Sequence, residues 1–183
     1  VCAANFLLKN NIDGLFRNHE HPSEEKLENL KSFLGEFGLS LQGGNKPTPK
    51  DYKNLNGKIS NRPEFHLLQT VLLRSMQQAV YSESNLGHFG LAYEAYTHFT
   101  SPIRRYSDLI VHRAIKAKLE KKPFKLKNIN KVAEHCSNTE RRADEATRDV
   151  ESWLKCYFMQ DKVGQIFEGT VAGVTGFGLF VEL

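Results

Sequence analysis

Two rhythms of apolar and polar positions run along this chain. Between Pro22 and Phe37, the residues Leu27, Leu30, Phe33, Leu34 and Phe37 recur at helical spacing. This predicts a helix capped by Ser23, favoured at its positive end by Glu24 and Glu25, and ended by Gly38. The segment from Gln42 to Pro47 is rich in turn formers and predicts a connector. Thr48-Pro49-Lys50-Asp51 has capping-box spacing and predicts a short helix. Phe65, Leu68, Leu72, Met76 and Ala79 set out another helix after Pro63, with its stripe in the core. Upstream, the Ala-rich stretch Val1 to Asn10 reads as helix. Leu15 to His19 reads as a short strand with Arg17 and His19 on one face, either touching a ligand or, by preference, at a core edge or in solvent.

From Gly87 to Phe99 the rhythm changes to alternation. Phe89, Leu91, Tyr93, Ala95, Thr97 and Phe99 interleave with His88, Gly90, Ala92, Glu94, Tyr96 and His98. That predicts a strand of an antiparallel sheet, running into a helix that starts at Pro102. The buried stripe of that helix is expected to be Ile103, Tyr106, Ile110, Ala114 and Ala117. Arg104, Asp108 and His112 fall on another face, where Asp108 is placed to hold Arg104. A basic loop from Lys118 to Lys127 then leads to a helix from about Asn128 to Asp161, on the order of 50 Å long. Its stripe is Ile129, Val132, Cys136, Ala143, Ala146, Val150, Trp153, Leu154 and Phe158, with ion pairs expected for Arg141 with Glu145 and Asp144 with Arg148. Short alternating strands with turn glycines begin at Val163 and run to Leu183.

Composition is that of an ordinary globular chain: 183 residues, 40% apolar and 25% charged. Charge changes the picture more. Between positions 100 and 127 there are nine Lys or Arg against Asp108 and Glu120, inside a chain whose formal charge is only +4. A local field of that sign attracts nucleic acid or another anionic surface. The three cysteines form no C-x-x-C pair, which favours a reducing cytoplasm over a disulfide framework or structural zinc. No apolar run has the length of a membrane span. The chain has no initiator Met and stops inside an apparent strand, so it reads as a fragment of a longer protein.

The most distinctive chemistry lies in His98-Phe99-Thr100-Ser101-Pro102-Ile103-Arg104-Arg105-Tyr106-Ser107-Asp108. With Ser101 or Thr100 as cap and Pro102 in the first turn, two arginines fall where the helix dipole is already positive. Unpaired N–H groups beside guanidinium forks make an anion site, and phosphate suits it. The competing reading is a pair of surface arginines turned to water. His112 reads as a structural histidine. Phe177 and Phe180, in a hairpin of a small barrel, are candidate stacking platforms for bases. No metal site is expected from Asp144, Glu145 or Asp149.

The run Tyr96-Thr97-His98-Phe99-Thr100-Ser101-Pro102-Ile103-Arg104-Arg105-Tyr106 resembles the signature of the ribonuclease II/R family of exoribonucleases. Gly43-Gly44-Asn45-Lys46-Pro47, Gly87-His88-Phe89-Gly90-Leu91, the run Arg141 to Val150 and Trp153-Leu154-Lys155 resemble its R branch. Thr147 fits that branch too, because some ribonuclease II members have Glu there. The last twenty or so residues look like the start of an S-one type OB-fold domain.

The resemblance implies the fold class: an α+β, helix-rich C-terminal half of an RNB catalytic domain at 1–162, with an antiparallel sheet and a long helix. The first strands of an OB-fold β-barrel follow at 163–183. It also implies a processive, magnesium-dependent, 3′-to-5′ hydrolysis of RNA to nucleoside monophosphates by a monomeric, cytoplasmic parent enzyme. Arg104 matches the arginine that meets the phosphate at the bond being cut. His98, Thr100, Ser101, Arg105, Tyr106, Phe177 and Phe180 are the expected RNA contacts. The family's closely spaced D-x-D-D cluster is absent from this sequence, so the magnesium ligands are expected upstream of Val1 and none within the chain. The alternative readings are a non-catalytic RNA-binding scaffold and a helical protein with no nucleic-acid partner.

Overall fold

The computed structural model describes residues 1–182, with Leu183, the end of the expected final strand, lying outside the described residues. The chain is α+β and forms two compact units that divide inside one helix, residues 1–139 and the stretch from Glu140 onward. The first unit holds α1 (Cys2–Lys9), β1 (Phe16–Asn18), α2 (Glu24–Glu36), α3 (Pro49–Ile59), α4 (Phe65–Arg74), β2 (Val80–Ser82), a 3₁₀ turn at Phe89–Leu91 and α5 (Tyr106–Leu119). It also holds the first turns of α6 (Ile129–Met159). The rest of α6 and the hairpin of β3 (Thr170–Thr175) and β4 (Gly178–Glu182) make up the second.

Local chemistry sets the early helices where the pattern placed them. The Ser23 side chain accepts from the Lys26 N–H at the start of α2. Thr48 and Asp51 form a complete capping box on α3, and these bonds hold the Asp51 carboxyl below its ordinary value. Helices α2, α3 and α4 close a core of Leu27, Leu30, Leu34, Tyr52, Leu55, Ile59, Leu68 and Leu72, with Phe89 inserted from the 3₁₀ turn.

Two further clusters meet at α5. Val111 and Ala114 pack with Ala4, Leu7, Phe16 and Ala95. Ile110 packs with Leu15, Tyr81, Ala133 and Cys136. The small sheet between them pairs β1 with β2 antiparallel, in a register that sets Arg17 directly opposite Tyr81. Tyr81 N–H donates to Ser137 Oγ at 2.9 Å, which ties β2 to the start of α6.

Three expectations are corrected. The alternating stretch Gly87 to Phe99 is not a strand. Gly87 (φ +79°) and Ala92 (φ +56°) are left-handed, and the backbones of His88 and Tyr93 bond to each other across the 3₁₀ turn. The segment folds back instead of extending, and touches β1 at scattered points such as Arg17 N–H to Tyr96 O. The alternation survives only as burial of Phe89, Ala95 and Thr97.

The helix expected at Pro102 begins at Tyr106, with Arg105 as its N-cap and no side-chain cap. Residues 101–105 form a turn in which both Arg104 N–H and Arg105 N–H donate to Ser101 O. Ile103 is therefore fully exposed and Tyr106 half-exposed. Ser107 and Asp108, with Ile110, Val111 and Ala114, take the buried side.

The apolar stripe of α6 is buried only near its start, at Ala133 and Cys136. Val150, Trp153, Leu154, Tyr157 and Phe158 are exposed within the described residues, with Trp153 and Tyr157 stacked on each other. No helix among the described residues is long and apolar enough to cross a membrane.

The stability of these positions separates cleanly. Leu68→Ala, at a fully buried site, is expected to cost about 2–5 kcal/mol in urea unfolding of the first unit. Ile103→Ala is expected to stay within about 0.5 kcal/mol, although the sequence pattern placed both residues in the core.

Candidate functional site

The turn at 101–105 is braced from below. Asp108, fully buried in the first turn of α5, accepts Ser101 N–H at 2.8 Å and Arg105 Nη2 at 2.9 Å on the same oxygen, Oδ2. Ser107 Oγ donates to its other oxygen at 3.3 Å. The sequence expectation that Asp108 holds Arg104 is thus corrected: its partner is Arg105. Arg105 is largely covered, and its Nε is buried with no hydrogen-bond partner. Arg104 is exposed and its guanidinium makes no hydrogen bond or ion pair among the described residues. Thr100 is exposed beside it. Just before the turn, His112 bonds Phe99 O through Nε2 at 2.7 Å and stacks flat on the Phe99 ring at 4.0 Å. His112 is structural, as expected.

An aromatic and imidazole array surrounds His98. Tyr81 OH meets His98 Nδ1 at 2.7 Å. Tyr81 and Tyr96 stand edge-on to His98 at 5.5 and 5.7 Å. Tyr96 continues to His88 at 5.3 Å and to half-exposed Tyr93 at 6.0 Å, and His88 continues to His19 at 5.1 Å. The Arg17 guanidinium lies 4.7 Å over the Tyr81 ring, a cation–π contact that follows from their cross-strand register.

His19 is locked by bonds to Gln77 O and from Gly90 N–H. A side chain at position 90 would collide with the His19 ring, since a Cβ there would lie 2.7 Å from Nδ1. Only glycine lets the 3₁₀ turn come this close.

The electrostatics favour an anion. Burial, with the charges of Arg105 and Arg17 beside it, pushes His98 down to about 4; Asp108 opposes this only in part. Burial, then His19 and Arg17, pushes His88 down to about 4 as well. Both rings are neutral near pH 7, and the positive charge of the region is carried by guanidinium groups. The Nε2 of His98 makes no hydrogen bond among the described residues.

The structure thus gathers His98, Thr100, Ser101, Arg104, Arg105 and Tyr106 at one turn, within the same unit. Phe177 and Phe180 belong to the second unit, where they are exposed and stand edge-on at 6.0 Å in the β3–β4 hairpin. Sequence reasoning missed Tyr81 and did not join Arg17, His88 and Tyr96 to His98. The Arg17/His19 alternation in β1 was the available signal.

No group of three or more His, Cys, Asp or Glu among the described residues is arranged to hold a metal. Asp108, the carboxylate that braces the turn, has both oxygens engaged. The residues present therefore do not fit a magnesium site.

The family model described as the RNB domain matches residues 1–121. The whole chain is 52% identical over 190 residues to ribonuclease R of Buchnera aphidicola subsp. Schizaphis graminum, and covers 26% of that protein. It spans about a quarter of the length of the curated relatives it matches. Two structures of Mycoplasma genitalium RNase R match 98% of the chain at 28% identity. One is a complex with ribose-methylated single-stranded RNA, with a TM-score of 0.88 and 30% of that chain covered. The other is a complex with double-stranded RNA, with a TM-score of 0.87 and 33% covered.

The electrostatic reading has a direct check. An NMR titration should find His98 neutral down to about pH 4, and Arg105→Ala should raise its midpoint. Because the folded value lies below the ordinary 6.5, this group's contribution to stability is full above pH 6.5 and is lost as pH falls towards 4. A midpoint near 6.5 in the folded protein would contradict the geometry.

Proposed function

The chain belongs to the RNB-domain family, and from that premise we propose that it is part of a processive 3′-to-5′ exoribonuclease that hydrolyses RNA to nucleoside monophosphates. The observation that carries this reading is Arg104. It is an unpaired, exposed guanidinium at the tip of a braced turn, in a region whose other cations are also guanidinium groups. A cation held there neutralises the charge that builds on the phosphoryl oxygens as the scissile bond breaks.

His98, Thr100, Ser101 and Tyr106 line the approach as RNA contacts. The exposed rings of Phe177 and Phe180 offer stacking surfaces to bases. The antiparallel β3–β4 hairpin supports reading 163–183 as the opening of an S-one type OB fold. The RNA complexes of the M. genitalium enzyme support both single-stranded and structured RNA as substrates.

When bound, magnesium supplies activated water. Its ligands are carboxylates outside this stretch, so the chain's own part is to bind and orient RNA and to neutralise phosphate charge. Cysteine usage without a C-x-x-C pair supports a cytoplasmic setting.

Arg104→Ala in the full-length parent is expected to slow cleavage about 10²- to 10³-fold while changing RNA affinity far less. Equal losses in rate and affinity would reduce Arg104 to a binding residue. The isolated 183-residue chain is expected to release no mononucleotides from RNA with magnesium present. Release measured by chromatography of the products would overturn the assignment of metal ligands to the rest of the parent.

A further inference from the structure

We infer that Asp108 is a positioning residue for the phosphate-contacting arginine: it fixes the 101–105 turn, and so Arg104, without touching RNA itself. The inference rests on the reading of Arg104 given above. Three observations carry it. Asp108 has no exposed surface, yet it is a carboxylate, and such a group is retained in an interior only when specific donors satisfy it. Oδ2 takes both of its donors from the two ends of the turn, Ser101 N–H and the Arg105 guanidinium, while Ser107 Oγ serves Oδ1. Arg104 lies between those ends, tied by its backbone N–H to Ser101 O, while its guanidinium has no partner among the described residues.

The bond to Ser101 also marks Asp108 as more than a helix cap. With Arg105 as N-cap, Asp108 stands at the third helical position, where an acid ordinarily returns to bond the N-cap N–H. Here the Arg105 N–H is already given to Ser101 O. The Asp108 side chain passes the N-cap and takes the N–H of Ser101, four residues further back. It closes the loop rather than the helix.

The same carboxylate fixes the arginine next to Arg104. Without it the Arg105 guanidinium would be free to swing, and Arg104 would lose a fixed neighbour. The position of a group that stabilises a transition state matters at the level of about 1 Å, where misplacement can cost about a hundredfold in rate.

The test is a double-mutant cycle in the full-length enzyme. Single-turnover cleavage is measured at saturating RNA, RNA affinity is measured with a chelator present, and thermal melts are recorded for every variant. Asp108→Asn keeps an acceptor for Ser101 N–H but removes the charge that holds Arg105. It is expected to slow cleavage about ten- to a hundredfold, with RNA affinity within about threefold. In an Arg104→Ala background the same change is expected to slow cleavage no further, because the group it positions is gone.

Arg105→Gln, which frees the same oxygen from the other side, is the second variant and should show the same non-additivity in rate if Asp108→Asn does not fold. Losses that multiply in the double variant would overturn the inference, as would wild-type cleavage by a folded Asp108→Asn protein. A folded Arg104→Ala enzyme that cleaves at the wild-type rate would instead remove the reading of Arg104, and the inference with it. Loss of cleavage accompanied by proportionate loss of RNA affinity would make Asp108 part of the binding surface and also overturn it.

Discussion

A buried carboxylate that must be satisfied is the constraint on which the site depends. Asp108 sits on the buried side of α5 with no exposed surface, where water cannot solvate it. An unpaired charge in such a place is costly, and breaking a buried pair by removing one partner typically costs about 3–5 kcal/mol. The chain meets this demand with a backbone N–H and a guanidinium taken from the preceding turn. That choice dictates where the turn goes, delays the helix to Tyr106, and leaves Arg104 outside as the one arginine of the pair with nothing to hold.

Around the turn, charge and ring geometry act together. Arg17 over Tyr81, and Tyr81 on His98, form a chain that reaches from β1 to the edge of the turn. Burial first, and then the guanidinium groups at either end, keep His98 uncharged, so the imidazole offers a neutral polar edge among permanent cations. Permanent positive charge with neutral donors between suits a polyanion, whose charge does not vary near neutral pH. A cluster of titrating imidazolium groups would instead make binding strongly dependent on pH.

Much of the scaffold was legible in the sequence because it is set by local rules. Ser23, the Thr48–Asp51 box and the stripe from Leu27 to Leu34 each specify their helix without reference to distant residues, and the structure keeps them. The motif around Arg104 was legible as a site as well. Its conformation was not. Ser-Pro at positions 101 and 102 reads as a cap followed by a first turn, but the bond that decides the matter comes from Asp108, which the sequence pattern had assigned to Arg104. The segment from Gly87 to Phe99 misled for a related reason. Its alternation is genuine, but Gly87, Gly90 and Ala92 let the backbone turn sharply, and the close contact of Gly90 with His19 is a tertiary feature that no local pattern records. In the second half of α6, the apolar spacing predicted burial that the described residues do not supply.

The placement of α5 between two cores has a mechanical consequence. Ile110, two residues beyond Asp108, belongs to one cluster, and Val111 with Ala114 to the other. Slack in either cluster would be transmitted along a rigid rod to its tip, where the arginine stands. The chemistry at the surface is therefore indexed to the fit of side chains that never meet a nucleotide. Ala114, among the smallest of them, sets how near the rod can lie to its neighbours, much as a shim sets the alignment of a blade.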